Sequence, residues 1–151
     1  MPTTSPRSRA QRRRDTEHRL NHDVDLWLAS ASPDGAPYLV PLSFDWDGEA
    51  LLAATPADSP TGRNLAATRT VRVGLGHTRD VSMIDGEVEV LEMDALPRER
   101  GDRFAERSGF DPRELATPYR WFRISPRRIQ AWREVNELPD RELMSDGRWL
   151  V

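Results

Sequence analysis

Short segments that alternate apolar and polar residues, separated by turn sequences, make up most of the chain. The clearest segment spans 36–46, where every second residue from position 40 is apolar: Val40, Leu42, Phe44 and Trp46. Successive side chains of a strand point to opposite faces, so these residues share one face, while Pro41, Ser43 and Asp45 share the other. The turn at 32–35 agrees with this assignment, because its proline presets one turn angle and its glycine accepts a positive φ.

The same reasoning assigns the remaining elements. The segments that we predict to be strands are 24–31, 36–46, 49–54, 71–75, 81–84, 87–91, 119–124 and 128–133. The segments that we predict to be helical are 10–21, 61–68 and 96–107, with a further short one at 111–116. The first three strands read as an antiparallel meander, and Asp85-Gly86 reads as the turn of a hairpin. These short strands, with helices in their connections, predict a mainly β protein built as a closed or partly closed antiparallel barrel.

A chain of 151 residues is long enough for one domain. We expect a disordered basic tail over 1–9 and a single domain over 10–151. No run approaches the roughly 20 apolar residues of a membrane span, and the N-terminus lacks a secretory pattern, so we expect a cytoplasmic protein with no membrane contact. Hydrophobic residues make up only 37% of the chain, and a thin apolar supply favours additional burial through oligomerisation.

The composition excludes several classes of chemistry. The chain contains no cysteine and no lysine, which excludes disulfides, thiolate nucleophiles and Schiff-base lysines. All 22 basic residues are arginine, so any side-chain cation that holds an anion is a guanidinium. The net charge of −3 disfavours a dedicated nucleic-acid binder. The arginine-rich stretch 7–19 is either a solvated helix after a frayed tail or a basic arm for a cofactor tail or a nucleic acid.

The segment 55–65 is the best candidate for an anion site. A strand ends there, a proline-rich loop supplies the hydroxyls of Ser59 and Thr61, and Gly62-Arg63 opens a helix. Hydroxyls, free amides at a helix N-terminus and a fork-shaped guanidinium together suit a phosphate group, and glycine lets the anion approach the backbone. The alternative is that Thr61 only caps the helix and that Arg63 is solvated.

Other functional motifs are weak or absent. The three histidines, at positions 18, 22 and 77, have no metal-ligand spacing, and the sequence contains neither Gly-x-Ser-x-Gly nor Gly-x-Gly-x-x-Gly. Trp132 lies on the strand face opposite to Ile129 and Ala131, which makes it either an interface anchor or a stacking surface for a planar ring.

Three stretches, in this order, resemble the pyridoxamine 5'-phosphate oxidase-like family. They are 25–42 (DLWLASASPDGAPYLVPL), 54–65 (ATPADSPTGRNL) and 122–132 (FRISPRRIQAW). They are similar to the family's opening hairpin, its phosphate loop and helix, and its closing strands. The resemblance implies a six-stranded antiparallel split β-barrel with Greek-key elements, the FMN-binding split barrel, which works as a homodimer with each cofactor site shared between subunits.

The resemblance also implies a cofactor and the residues that bind it. The cofactor would be FMN or the deazaflavin coenzyme F-420, with hydride transfer to a small conjugated substrate. The implied cofactor-binding residues are Pro41, Leu42, Ser43, Ala54, Thr55, Ser59, Thr61, Arg63, Asn64 and Trp132, the last from the partner chain. A basic groove for the polyglutamyl tail of F-420 is expected from Arg12 to Arg14 and Arg79.

Two departures from the family pattern disfavour pyridoxamine phosphate oxidation itself. Arg63 stands where many relatives have lysine, and the segment 136–149 does not match the arginine-and-histidine substrate site of the true oxidases. The alternatives to an oxidoreductase are a non-catalytic carrier or sensor of the same cofactor, and a regulatory protein that uses its basic arm.

Overall fold

A computed structural model describes residues 5–151 of the chain. The helices are α1 (Arg9–His22), α2 (Pro60–Thr68) and α3 (Arg98–Ser108), with 3-10 turns at Met93–Ala95, Pro112–Glu114 and Val135–Glu137. The strands are β1 (Asp25–Ala31), β2 (Pro37–Ser43), β3 (Asp45–Trp46), β4 (Leu51–Pro56), β5 (Thr70–His77), β6 (Asp80–Leu91), β7 (Tyr119–Trp132), β8 (Glu142–Ser145) and β9 (Arg148–Trp149). No helix within the described residues is both long enough and apolar enough to span a bilayer.

All strands pair antiparallel in one curled sheet of order β2-β1-β5-β6-β7-β4-β3, and β8 pairs with both β7 and β9. The sheet forms a half-barrel in which β2, at one end, approaches β4, next to the last strand at the other end, without pairing with it. The predicted mainly β split barrel is therefore confirmed. The strand number differs from the prediction, because 36–46 divides into β2 and β3, β6 and β7 each join two predicted strands, and β8 and β9 are additional.

The barrel interior holds the main core, and the alternation over 40–46 predicts it correctly. Phe44 and Trp46 are buried in this core, and Val40 and Leu42 pack against it. Asp45 is the exception to the expected inside and outside faces. Its side chain is fully buried although it points away from the barrel interior, because α3 covers that part of the outer surface and surrounds the carboxylate with arginines.

The predicted hairpin at Asp85-Gly86 is wrong, since β6 runs through both residues with only a register shift between them. A Cβ at position 86 would lie 2.6 Å from Cγ2 of Ile124, so the glycine permits close approach of β7 rather than a turn. The break predicted at 125–126 is also absent, because β7 continues through it. Pro126 pairs with Gly86, next to the register shift. Proline has no N–H to donate, and strands accept it at such irregular positions.

The predicted meander is only partly correct. β1 and β2 form the expected hairpin, and the Asp47-Gly48 turn joins β3 to β4. β4, however, pairs with β7 rather than with β2. The strand is interrupted at Phe44, and β2 lies at one end of the sheet whereas the β3–β4 hairpin lies at the other.

The N-terminal segment is attached to the end of the chain. Of the tail that we expected over 1–9, residues 1–4 lie outside the described residues, whereas Arg7 places its guanidinium Nη2 2.7 Å from Oε1 of Glu137. α1 is anchored in the same way, because the buried Arg12 donates to the carbonyl oxygens of Ala131 and Glu137. The predicted surface helix therefore buries polar groups as well as Leu20.

Because of this attachment, we expect the stability of the protein to fall at acidic pH. The pKa of Glu137 is lowered from 4.5 to about 2, chiefly by the hydrogen bond from the Arg7 side chain. A carboxyl whose pKa is depressed by folding stabilises the protein above its unfolded-state pKa and loses that contribution as the pH falls. We expect the free energy of unfolding to lose about 3 kcal/mol from this group between about pH 5 and 2.

Urea unfolding at several pH values measures this loss. Glu137→Gln is expected to flatten that part of the pH profile, whereas Glu89→Gln, at an exposed position of β6, is expected to keep it. Identical profiles for Glu137→Gln and the unsubstituted protein would contradict the assignment.

Candidate functional site

The gap between β2 and β4 contains a cavity of about 360 Å³, which we call the β2–β4 cavity. It brings together part of the site predicted from the sequence. The predicted residues that line it are Pro41, Leu42, Ser43, Ala54 and Thr55. The remaining lining residues are Pro56, Phe104, Phe110 and Tyr119. No charged side chain lines the cavity, so it suits an uncharged, planar group.

Backbone groups along β2 are free beside this cavity. Phe44 N–H donates to the carbonyl of Val24, and the strand register places the other even-numbered residues of β2 in equivalent hydrogen-bonded pairs with β1. The N–H of Ser43 and the carbonyl of Pro41 therefore point to the opposite edge. The Ser43 hydroxyl is engaged, since it donates to Asp25 Oδ1 at 2.8 Å, so the backbone is the available polar contact.

Aromatic rings form the wall of the cavity opposite β2. The Phe104 ring packs edge-on at 5.1 Å from Trp121, and Phe110 packs edge-on at 5.6 Å from Tyr119, measured between ring centroids. None of these aromatic residues is among the site residues predicted from the sequence. Phe110 and Tyr119 flank an irregular segment, where no periodicity reveals which way a side chain points.

A buried carboxylate holds α3 beside this wall. Asp45 is 0% exposed, and its Oδ2 lies 2.5 Å from Nη1 of Arg100 and 3.2 Å from Nε of Arg103. Nε of Arg107 lies 3.7 Å from Oδ1. The three arginines are three and four residues apart, which places them on one helix face. We call this group the Asp45 clamp. Because Phe104 belongs to the same helix, the clamp also fixes the aromatic wall.

The predicted anion segment is largely occupied by its own contacts. Ser59 caps α2, since its Oγ accepts from Gly62 N–H at 3.0 Å and donates to the carbonyl of Pro56 at 2.8 Å. A Cβ at position 62 would lie 2.4 Å from that same carbonyl oxygen. The glycine therefore serves the packing of α2 against the end of β4, and its N–H is bonded to Ser59.

Arg63 and Asn64 open onto a second pocket, of about 440 Å³, next to the β1–β2 turn. Arg63 is 59% exposed and rests on Asp58, with Nη1 3.3 Å from Oδ1, while Asn64 donates to Ser30 Oγ at 3.1 Å. Thr61 is 2% exposed, and its hydroxyl oxygen is buried without a hydrogen-bond partner. A buried hydroxyl without a hydrogen-bond partner lowers the free energy of unfolding, and a ligand that bonds to it removes this cost.

Trp132 lies at the far end of β7, where it pairs with Val81 and does not line the β2–β4 cavity of its own chain. The expected basic groove is not assembled either. Arg12 is buried among carbonyl groups, and Arg13 pairs with Glu17 at 2.7 Å. Arg79 is 78% exposed and lies 3.6 Å from Glu134.

The outer face of β1, β2, β5 and β6 carries an apolar groove of about 660 Å³. Trp27 is 53% and Leu39 is 59% exposed there, and Met83 and Val81 continue the surface. His77 lies at the rim of this groove. Within residues 5–151, no group of three or more potential ligands is arranged to hold a metal ion.

Sequence comparison assigns a family. The family model described as Pyridoxamine 5'-phosphate oxidase matches residues 18–133. A search of curated proteins found no match.

Solved structures with the same fold share little sequence with this chain. A protein titled F420 Reductase is 20% identical with a TM-score of 0.58, over 85% of this chain and 98% of that chain. A putative pyridoxamine 5'-phosphate oxidase from Listeria innocua is 18% identical with a TM-score of 0.62, over 82% and 99%. A FAD-binding protein from Mesorhizobium loti is 21% identical with a TM-score of 0.64, over 79% and 90%.

The Asp45 clamp leads to a prediction about stability. Asp45→Ala removes the carboxylate that three arginines share, and a charge-assisted hydrogen bond such as that from Arg100 typically contributes about 1.5–3 kcal/mol. We expect a loss of that size in the free energy of unfolding, measured by urea denaturation. Asp85→Ala is the matched control. Its pair with Arg72 is partly exposed and should contribute at most about 1 kcal/mol; equal losses for the two variants would contradict the clamp.

Proposed function

The chain belongs to the pyridoxamine 5'-phosphate oxidase family, and on that basis we propose that it is an oxidoreductase that binds FMN or coenzyme F-420 and acts on a small conjugated substrate. The β2–β4 cavity is the observation that carries the proposal. Aromatic and proline side chains border it, no charged side chain lines it, and a free backbone edge lies beside it, which are contacts that suit a flat heterocycle.

The residues present fit such a cofactor at its ring end. Pro41, Leu42 and Ala54 would cover the ring, and the free N–H of Ser43 and carbonyl of Pro41 would bond to its polar edge. The phosphate end requires a rearrangement, because Arg63 must leave Asp58. Breaking this pair costs little free energy, because both side chains are exposed, with 59% and 99% of their surfaces accessible. The unpaired Thr61 hydroxyl would then have an acceptor close to α2.

A bound flavin or deazaflavin supplies hydride transfer. The side chains around it need only position the ring and exclude water, and no nucleophile is required, which agrees with a chain without cysteine and lysine. Tyr119 lines the cavity, and its hydroxyl is the side-chain group that would deliver a proton there. The alternative is a carrier or sensor that binds the cofactor in the same cavity without turnover. In that case the cofactor binds, but no electron donor reduces it.

The proposal includes a homodimer. The exposed Trp27 and Leu39 and the groove around them form an apolar surface of the kind that marks a protein interface. Trp132, which is remote from the cavity of its own chain, would reach the cofactor of the partner in such an assembly.

Absorbance titration with FMN and with F-420 tests the function. We expect one of the two cofactors to bind with a shifted visible spectrum. Ala54→Leu fills the cavity and should weaken binding at least tenfold, and Arg63→Ala should weaken it by about 1.5–3 kcal/mol, as for other charge-assisted hydrogen bonds.

Two matched variants control this titration. Ala116→Leu and Arg148→Ala alter the same residue types at exposed positions outside the β2–β4 cavity and should bind like the unsubstituted protein. If neither cofactor binds to the folded protein, the proposed function is wrong. Binding that survives Ala54→Leu unchanged would instead move the cofactor out of this cavity.

The homodimer is tested by placing a charge on the apolar groove. Leu39→Glu should produce a monomer in light scattering coupled to gel filtration, because a buried, unpaired carboxylate is costly in an interface. Leu115→Glu changes another exposed leucine, 45% accessible and outside the groove, and should remain dimeric. A monomeric unsubstituted protein, or a dimeric Leu39→Glu, would rule out this interface.

A further inference from the structure

A polar pocket of about 460 Å³ lies where the start of α1, the end of β7 and the β8 segment meet. Three arginines from three different segments line it, namely Arg9, Arg128 and Arg141, and we call it the arginine pocket. It shares no lining residue with the β2–β4 cavity or with the pocket beside Arg63. The function proposed above does not use it.

The guanidinium groups of this pocket have few carboxylate partners. Among the described residues, Arg9 and Arg141 have no carboxylate oxygen within 4.0 Å, and the ion pair of Arg128 is its contact with Glu142 at 3.5 Å. That distance exceeds the usual 2.7–2.9 Å of charge-assisted hydrogen bonds. Most arginines of the chain, by contrast, have a carboxylate oxygen in range.

Two of the cations share one neutral acceptor instead. The Gln130 amide is satisfied in the orientation in which its oxygen accepts from Nη2 of Arg128 at 3.0 Å and from Nε of Arg141 at 3.3 Å. Nε of Arg9 is buried without a hydrogen-bond partner. Two positively charged groups, Arg128 and Arg141, therefore share the uncharged oxygen of Gln130, and Nε of Arg9 nearby has no acceptor. This arrangement is unfavourable unless a further acceptor binds.

The pocket also contains acidic groups, which limit the ligand. Asp140 and Glu142 line it together with the three arginines, which leaves one net positive charge. Arg9 is the first residue of α1, and the positive end of the helix dipole adds to that charge. A ligand must therefore be small, anionic and rich in acceptor oxygens to engage several guanidinium groups at once.

We propose that the arginine pocket binds a small oxyanion, namely phosphate or the phosphate group of a monoester. Its tetrahedral oxygens accept from Arg128 and Arg141 in the forked geometry that guanidinium groups favour. The anion replaces Glu142 as the partner of Arg128, and it gives Arg128 and Arg141 an acceptor besides the Gln130 oxygen that they share. The pocket is thus a second anion site, separate from the one at α2.

Titration of the full chain with phosphate at constant ionic strength tests the site. Binding is followed by the side-chain Nε–H resonances of arginine in ¹H–¹⁵N spectra. The Arg63→Ala background removes binding at α2. Saturable shifts are expected for Arg9, Arg128 and Arg141. Arg141→Gln and Arg128→Gln should each weaken binding at least tenfold, the lower end of the range for a charged hydrogen bond.

Arg14→Gln is the control, because it removes the same charge at an exposed position on α1 outside the pocket; its affinity should change less than twofold. Shifts that do not saturate, or that are as large for Arg14 as for the pocket arginines, overturn the proposal. So does unchanged affinity in both pocket variants with normal melting temperatures. Phenyl phosphate, titrated in parallel, identifies the source: tighter binding than inorganic phosphate supports a monoester, and equal binding supports the free ion.

Discussion

The carboxylate of Asp45 is the interaction on which the site depends. It is buried between the barrel and α3, where three arginines of one helix face converge on it. Since Phe104 is the one large apolar residue of α3, the ion cluster acts together with the packing of this single ring to hold the helix in place. The aromatic wall of the β2–β4 cavity is therefore positioned together with an ion cluster on the adjoining face of the same helix.

A second group of charges performs a similar task at the other end of the molecule. Arg7, Glu137 and Asp80 connect the start of the chain to its end and to β6, and Arg12 supports them by capping carbonyl groups. A chain with few apolar residues thus uses guanidinium groups as structural connectors. Arginine suits this use because it keeps its charge when buried and donates in several directions.

Local patterns predicted much of the fold, and their failures have physical causes. Alternation over 40–46 identified core residues because the strand has one buried face, but it could not foresee that α3 covers Asp45. Gly86 was taken for a turn because its need for space arises from Ile124, a contact distant in sequence. For the site, the strand segments around Pro41 and Ala54 were predicted through family resemblance, whereas Phe110 and Tyr119 depend on how irregular connections fold back.

The two prolines of β2 have a consequence for the behaviour of the protein at high concentration. Pro37 and Pro41 occupy alternate positions whose backbone nitrogen faces the free edge, so that edge lacks half of the donors that another strand would need. Exposed sheet edges normally recruit strands from other molecules and initiate aggregation. An edge interrupted in this way stays open to a small planar molecule while it resists extension into a fibre.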